Sequence, residues 1–347
     1  MTSLIKPVML SPTAITGALL YTVTLAPPSI KDPILQTLRQ YVSPTSISRA
    51  VIALQGLFAL GLLRRLNKFL SELAQNSFRW SSERSRYDWP NEIAVVTGAA
   101  SGFGRLLAIG LASHGIKVMA LDLAPALPAD MQSDKRIAYY QCDVTDPDAV
   151  NDVASRIVAE HGNPSILINN AGISLTSKLV DTKPKDVQKI FGVNVFSHYY
   201  TVAAFVPAII AQKKGHVITI ASMTSFVAFS PLVAYSSTKA AVLSFHEGLT
   251  TEMHQAAPEV KTTLVHPTWS ATGMIKGRQA DTIKKSGADV MDPQIVSDAI
   301  VKQILSGRDK QVIVAPGAEW LSTLRAWPHW ISRPLINASG RLDQLSG

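Results

Sequence analysis

The chain has little cysteine and little charge. Its 347 residues include one cysteine, Cys142, so no internal disulfide framework is possible. A lone thiol fits a reducing compartment. Charged residues make up 17% of the chain against 47% apolar, which is drier than an ordinary soluble domain. Internal repeats and low-complexity tracts are missing. The eight histidines show no metal-ligand spacing, so no metal is expected. No basic face with interleaved aromatics is present, so nucleic acid is not an expected partner.

The charge that exists is unevenly placed. The formal net charge is +8, and residues 1–90 hold ten Lys/Arg against four Asp/Glu, or +6 of that total. This basic segment carries two apolar runs. Residues 7–30 hold no charge between Lys6 and Lys31, although Pro12 interrupts them and Pro27-Pro28 end them. As one helix they would reach roughly 36 Å, enough for a hydrocarbon core of about 30 Å. The second run, Ala50 to Leu63, lies between Arg49 and Arg64-Arg65. Its span of about 21 Å is short for crossing, so it would lie in the interface, re-enter, or pair with the first run as a hairpin. Residues 1–75 are therefore read as a leader that binds a membrane surface, with its basic flank on the cytosolic side. The expected place is the cytosolic face of the endoplasmic reticulum or a lipid droplet, with a mitochondrial membrane as the alternative. A processed targeting segment and simple packing of the second run on the rest of the chain stay open. Residues 76–91 are polar and read as a linker.

From Glu92 the pattern becomes short apolar runs alternating with longer amphipathic stretches. That pattern predicts an α/β fold, a doubly wound parallel sheet of Rossmann type with about seven strands, behind the apolar helical leader. The strands fall near residues 93–96, 117–121, 137–142, 166–168, 217–220, 261–265 and 311–314, in a domain spanning 92–315 with a tail at 316–347. After the first strand comes Thr97-Gly98-Ala99-Ala100-Ser101-Gly102-Phe103-Gly104, followed by a helix. Glycines in that place let the backbone approach a pyrophosphate, and the helix N-terminus supplies amide donors. Asp122 ends the second strand. A carboxylate there accepts hydrogen bonds from a ribose diol and repels a 2′-phosphate, which favours NAD over NADP. Arg105 is expected to sit in the first turns of the helix, away from the ribose.

Tyr235-Ser236-Ser237-Thr238-Lys239 places a phenol and an ammonium one helical turn apart on one face. Ser222 lies upstream, at the end of the apolar run Val217-Ile218-Thr219-Ile220. Alone the Tyr-x-x-x-Lys pair is weak. Together with the glycine turn and Ser222, in this order, it reads as a hydride-transfer site on a dinucleotide-binding fold.

Residues 92–315 resemble the short-chain dehydrogenase/reductase superfamily in its single-domain form. The glycine turn 97–104 matches the family's cofactor motif, and Asp143-Val144 the pair that contacts adenine. Asn169-Asn170-Ala171-Gly172 matches the element that passes beside the cofactor. Asn194, Ser222, Tyr235 and Lys239 match the catalytic set. The resemblance thus implies cofactor contacts at Thr97, Gly98, Ser101, Gly102, Phe103, Gly104, Asp122, Asp143, Val144, Asn170, Ala171, Gly172, Tyr235, Lys239, Pro267 and Thr272. It departs from the family at Pro267-Thr268-Trp269-Ser270-Ala271-Thr272, where Thr268 stands for the usual glycine and Ser270 for the usual aliphatic residue beside the carboxamide. The leader and Asp122 resemble the membrane-associated retinol/hydroxysteroid dehydrogenase-like branch.

The implied chemistry has Tyr235 as general base in oxidation and general acid in reduction. Tyrosine's usual pKa of about 10 is too high for that role. The expectation is that the Lys239 ammonium and the cationic nicotinamide lower it by 2–3 units, worth about 3–4 kcal/mol. Ser222 would hold the reacting oxygen, Lys239 the nicotinamide ribose, and Asn194 a water in a proton relay. The apolar stretch Met223–Val233 and a lid over 272–292 favour a lipophilic alcohol or ketone: retinoid-like, steroid-like or another lipid. Trp320, Trp327 and Trp330 with Arg325 and Arg333 suit a membrane interface, a packed tail or a dimer contact. The amphipathic stretches 186–211 and 234–254 imply a homodimer by resemblance. Asn337-Ala338-Ser339 is the only glycosylation sequon and would report a lumenal body if modified. The other readings are a soluble NADP-dependent carbonyl reductase and a non-catalytic dinucleotide-binding scaffold.

Overall fold

The structure, a computed structural model, describes residues 11–275, 283 and 289–338. It divides into two compact units, Met1–Phe78 and Arg79–Gly347.

The first unit is helical. Helix α1 is Pro12–Thr24, α2 is Pro28–Tyr41 and α3 is Pro44–Gln75. Each opens with a proline in its first turn, where the missing N–H leaves nothing unpaired. Ser11 and Ser43 cap α1 and α3 by accepting from Ala14 N and Ser46 N. These prolines redistribute the two apolar runs. The described part of the first run is a helix of 13 residues, closed before Pro27-Pro28, about 20 Å long rather than 36 Å. The second run, expected to be short, lies inside a helix of 32 residues, about 48 Å long. No proline follows Pro44 there, and Arg64-Arg65 add charge without breaking the backbone pattern. By length and composition α3 is therefore the helix of this unit that suits a membrane crossing; among the described residues only Pro184–Ala211, partly buried in the second unit, also passes on length and composition. Its side chains Ile52, Leu57, Leu60 and Leu63 are more than half exposed. Helices α1 and α3 pack as a hairpin. A Cβ on Gly17 would fall 2.7 Å from the Phe58 ring, and one on Gly61 would fall 2.5 Å from Thr13 Oγ1. Small residues allow that approach. Arg65 donates to Ser11 across the same pair.

The second unit carries the expected sheet. Its strands are β1 (Ile93–Thr97), β2 (Lys117–Asp122), β3 (Ile137–Gln141), β4 (Ile166–Asn169), β5 (Gly215–Ile220), β6 (Val260–Pro267) and β7 (Lys310–Val314). All neighbours pair in parallel, in the order β3-β2-β1-β4-β5-β6-β7. The main helices are α4 (Gly102–Ser113), α5 (Pro147–His161), α6 (Pro184–Phe191), α7 (Ser197–Ala211), α8 (Val233–Ala256), α9 (Pro293–Ser306) and α10 (His329–Ala338). Strands β1, β4, β5 and β6 are buried along their whole length, because helices cover both faces of a parallel sheet. Val96 packs with Leu107, Leu111, Ile300 and Ile304 on one face. Its neighbour Val95 packs with Val150, Ile157, Phe205 and Ile209 on the other, as strand alternation requires. Strand order reverses between β1 and β4, which opens a crevice at the carboxyl ends of the strands.

Within the stretch 76–91, expected as a linker, residues 79–91 are held against this unit. Glu83 N donates to Gly307 O (3.0 Å), Ser82 Oγ to Ser306 O (2.6 Å) and Arg86 Nη1 to Lys213 O (3.0 Å). The polar composition that reads as a linker instead supplies donors to carbonyls at helix ends. Just beyond, the buried Glu92 carboxylate accepts from Lys214 Nζ (2.6 Å), from Asp88 N (2.9 Å) and from Ser165 Oγ.

Candidate active site

The turn after β1 is built around two glycines with positive φ, Gly98 at 65° and Gly102 at 52°, which only glycine adopts without strain. A Cβ on Gly98 would lie 2.9 Å from Ala171 Cα, and one on Gly104 would lie 2.1 Å from Gly98 O. The side chain of Asn170 fixes the turn from the adjacent strand end, donating from Nδ2 to Thr97 O (2.8 Å) and Gly98 O (3.2 Å). Thr97 Oγ1 returns the contact, accepting from Asn170 N and Ala171 N, both at 3.0 Å. Ser101 makes no side-chain cap on α4, so the helix's leading amides carry no side-chain acceptor and suit an anion. Phe103 packs on the first core cluster and leaves the turn's outer side to Ser101, which is exposed. This close backbone cradle fits a pyrophosphate.

Asp122 stands at the end of β2, partly exposed. One oxygen accepts from Ala100 N (2.8 Å), the other from Ala124 N (3.0 Å). Those bonds hold the carboxylate beside the glycine turn and leave each oxygen a further lone pair for a diol. Arg105 is ion-paired with Asp130, and that hydrogen bond holds the Asp130 carboxyl below its usual value. The guanidinium is thus paired with another carboxylate. Asp143 is exposed after β3, where its Oδ1 accepts from Thr145 N and Thr145 Oγ1, while Val144 is buried.

The remaining residues converge past the ends of β4, β5 and β6. Asn194 sits in a π-turn, Gly192–Phe196, between α6 and α7, a local widening often found at functional sites. Its Oδ1 accepts from Ile173 N (2.8 Å), and its Nδ2 donates to Ile173 O (2.9 Å) and Thr238 Oγ1 (3.0 Å). Both amide hydrogens are used, so a relay water would have only the second lone pair of Oδ1. Gly172 lies against this group: a Cβ there would be 3.5 Å from Asn194 Oδ1 and 3.7 Å from Lys239 Nζ. Lys239 is buried and donates to Ile220 O at 2.8 Å. Its Nζ is 5.8 Å from the Tyr235 ring centre. Ser222 lies two residues past the end of β5 in extended backbone, and its Oγ accepts from Thr224 N (3.2 Å).

The Tyr235 titration differs from the expectation. Burial pushes its hydroxyl up to about 12, only partly opposed by the Ser222 hydrogen bond. Burial also brings Lys239 down to about 8. Desolvation disfavours both charges, and an ammonium already hydrogen-bonded to a carbonyl 5.8 Å from the ring centre does not offset it. The protein's own groups therefore do not depress this tyrosine.

The departing segment is ordered by local bonds. Thr268 N donates to Val314 O (3.0 Å), Ser270 Oγ to Thr268 O (3.1 Å), and Ser270 bridges in parallel to Met291. Ser270 is buried, which explains how a hydroxyl replaces an aliphatic residue: its proton has a carbonyl partner. Pro267 ends β6, and Thr272 faces the glycine turn, its Cβ 3.6 Å from where a Gly102 Cβ would be. Of the expected lid, residues 276–282 and 284–288 lie outside the described residues; Ile283 is buried among Phe229, Trp269, Ile275 and Val290. The tail holds a 3-10 segment, Glu319–Ala326, and α10, with Trp320 and Trp330 exposed; Ser339 of the sequon lies outside the described residues.

Several participants escape sequence reasoning. Ile173 and Thr238, which hold Asn194, and the Ile220 carbonyl, which holds Lys239, act through backbone or through a residue with no distinctive type. Thr238 alone had a signal, lying within the Tyr235–Lys239 turn. Ser225 and His266, which brace Ser222, had none.

Residues 92–283 match the short chain dehydrogenase family. The chain belongs to the short-chain dehydrogenase/reductase superfamily. It is 36% identical over 239 residues to the "Dehydrogenase RED2" of Cochliobolus heterostrophus, covering 68% of this chain and 88% of that protein. It is 33% identical to the human estradiol 17-beta-dehydrogenase 11, covering 67% and 78%. Among solved structures, the 3-ketoacyl-(acyl-carrier-protein) reductase of Brucella melitensis complexed with NADH shares the fold, with 22% identity, a TM-score of 0.58, and coverage of 65% and 97%. Membership in this superfamily makes the chain an oxidoreductase of a family that uses nicotinamide cofactors.

Proposed function

We propose that this short-chain dehydrogenase is a membrane-associated, NAD-preferring alcohol dehydrogenase or carbonyl reductase for a lipophilic substrate. The observation that carries the reading is the convergence of Ser222, Tyr235, Lys239 and Asn194 beside the glycine cradle, with Lys239 Nζ 5.8 Å from the Tyr235 ring centre and Gly172 against both Asn194 and Lys239. In oxidation Tyr235 takes the alcohol proton, and Ser222 holds the alcohol oxygen next to it. The nicotinamide ring, when bound, accepts the hydride and brings a positive charge toward the phenol. That charge matters because burial alone holds the hydroxyl near 12. Lys239, brought down to about 8, is still largely protonated near neutral pH, so in the reduction direction, where Tyr235 gives its proton to the carbonyl oxygen, it can supply Tyr235 with a replacement, and in oxidation the proton that Tyr235 gains must leave before the next turnover.

Asp122 supports the NAD preference, since its carboxylate is pinned next to the turn and Arg105 is taken up by Asp130. The apolar grouping of Ile283 with Phe229, Trp269, Ile275 and Val290, in the segments that follow β5 and β6, supports a retinoid-like, steroid-like or other lipid alcohol. The exposed apolar surface of α1 and α3 supports attachment of residues 1–75 to a membrane, and a homodimer follows from the family resemblance. The test is NADH absorbance at 340 nm with detergent-solubilised protein, either cofactor, and panels of lipophilic and polar alcohols. Turnover with NAD that Tyr235→Phe abolishes, while nucleotide binding persists, is the expected result. Preference for small polar polyols, or for NADP, would overturn the corresponding part of the reading.

A further inference from the structure

Ser222 is the first residue past the sheet's hydrogen bonds. Ala221 N makes the final ladder bond to Val265 O (2.8 Å), and the chain then leaves the sheet for a 3-10 turn, Met223–Ser225. The Ser222 side chain needs an orientation that the strand no longer supplies. Its carbonyl is where that orientation is fixed. Ser225 donates to Ser222 O twice, from N (3.0 Å) and from Oγ (2.5 Å). A third polar contact comes from a distant strand: His266 Nδ1 lies 3.1 Å from Ser222 O and 2.9 Å from Ser225 Oγ.

The hydrogen-bond chain sets the tautomer of His266. Ser225 Oγ spends its proton on Ser222 O, so it accepts from His266, which requires Nδ1–H. The other ring nitrogen then accepts, and Gln311 Nε2 on β7 stands 3.0 Å from it. His266 is fully buried, and Phe226 packs on its ring at a centroid distance of 4.4 Å. Phe226 is held in turn by Arg325, whose Nε donates to the Phe226 carbonyl at 2.7 Å. Strands β6 and β7 and the turn after β5 thus meet on one imidazole, which touches neither Tyr235 nor Lys239 in any hydrogen bond. A buried imidazole satisfied at both nitrogens is rigid, and its one hydrogen-bonded link toward the chemistry is Ser222.

We propose that His266 is a positioning residue for Ser222: its Nδ1–H, backed by Gln311, fixes the Ser222 carbonyl and so aims the Ser222 hydroxyl at Tyr235. The inference rests on the reading in which Ser222 holds the reacting oxygen. Replacement of the ring by an apolar one of similar volume keeps the packing on Phe226 and removes the bond to Ser222. Asparagine restores a donor near the Nδ1 position.

The test is a double-mutant cycle on the full-length protein in detergent. His266→Phe is expected to lower kcat by about 10- to 100-fold, the scale of a small misplacement of a reacting group, with NADH affinity by fluorescence titration within about twofold of wild type because no cradle residue is touched. His266→Asn is expected to recover most of the lost kcat. In a Ser222→Ala background, His266→Phe should cost nothing further, since its effect runs through a hydroxyl that is gone. Unchanged kcat in His266→Phe, additive loss in the double variant, or parallel loss of NADH affinity overturns the proposal. Should His266→Phe not fold, Ser225→Ala, which removes the shared hydroxyl, carries the same cycle with the same criteria. Should the wild type show no turnover, the functional reading fails first. A crystal structure of His266→Phe then decides the positioning claim: a Ser222 hydroxyl still facing Tyr235 refutes it, and a displaced one supports it.

Discussion

Replacement of Gly104 by alanine is the sharpest probe of the nucleotide cradle. The new methyl carbon would sit 2.1 Å from Gly98 O and 2.6 Å from Asn170 Nδ2. Ordinary contact begins near 3.4 Å, so the Gly98 carbonyl or the start of α4 must retreat by roughly 1.3 Å, the difference between the two distances. Neither neighbour can yield easily. Gly98 is pinned by the Asn170 amide and by its own positive φ, and α4 is locked to α9 by the buried pairs around Leu107, Ile300 and Ile304. Overpacking of this kind costs about 1–3 kcal/mol of stability. The functional loss should be larger. The turn that moves is the one that receives the pyrophosphate, and displacement of about 1 Å in a preorganised site costs on the order of 100-fold. Isothermal titration with NADH and a thermal melt measure the two effects separately. The expected outcome is an affinity lower by about 100-fold with a melting point lowered by several degrees. Gly104→Ala protein that binds NADH within twofold of wild type would refute the cradle as the pyrophosphate site.

Stability should fall in mild acid. Burial lowers His198, His216 and His246 to about 3 and His266 to about 4, against roughly 6.5 when unfolded. The folded state keeps them neutral, so this stability is full above about pH 6.5 and is lost as pH drops toward the folded values, at up to about 1.4 kcal/mol per pH unit for each histidine. A urea midpoint that is the same at pH 7.5 and 5.0 would contradict the neutral, buried assignment. Lys214→Met leaves the Glu92 carboxylate, buried beside Ser165, without its cation, and should destabilise the protein by about 3–5 kcal/mol; chemical denaturation checks it, and a change under about 1 kcal/mol would argue against the buried pair. Asp122→Ser removes the carboxylate that opposes a 2′-phosphate and two backbone caps, so the ratio of NAD to NADP affinity should fall at least tenfold, the scale of one charge contact, and an unchanged ratio would remove Asp122 from cofactor selection.

The alternation of buried runs from Ile93 onward was enough to read a parallel sheet, because strands covered on both faces must be apolar throughout. Asp122, Ser222, Tyr235 and Lys239 were legible because their types and spacings are tied to local geometry: a strand end, or one helical turn. The leader was less legible. Which apolar run forms the long helix depends on where prolines start and stop helices, and Pro27, Pro28 and Pro44 place the long helix over the second run. Within the 76–91 stretch, the donors of residues 79–91 find helix-end carbonyls, a pairing that polar composition does not reveal.

The sequence by itself determined the fold class, the order of the motifs and the chemical types available at the strand ends. These follow from periodicity and from residue chemistry, which are local. Only the tertiary structure decided the electrostatic state of Tyr235, because burial is a property of what surrounds a group and not of its neighbours in the chain. Only the tertiary structure brought His266 and Gln311 to Ser222, 44 residues from His266 in the chain, since parallel crossovers place side by side segments that no local spacing connects.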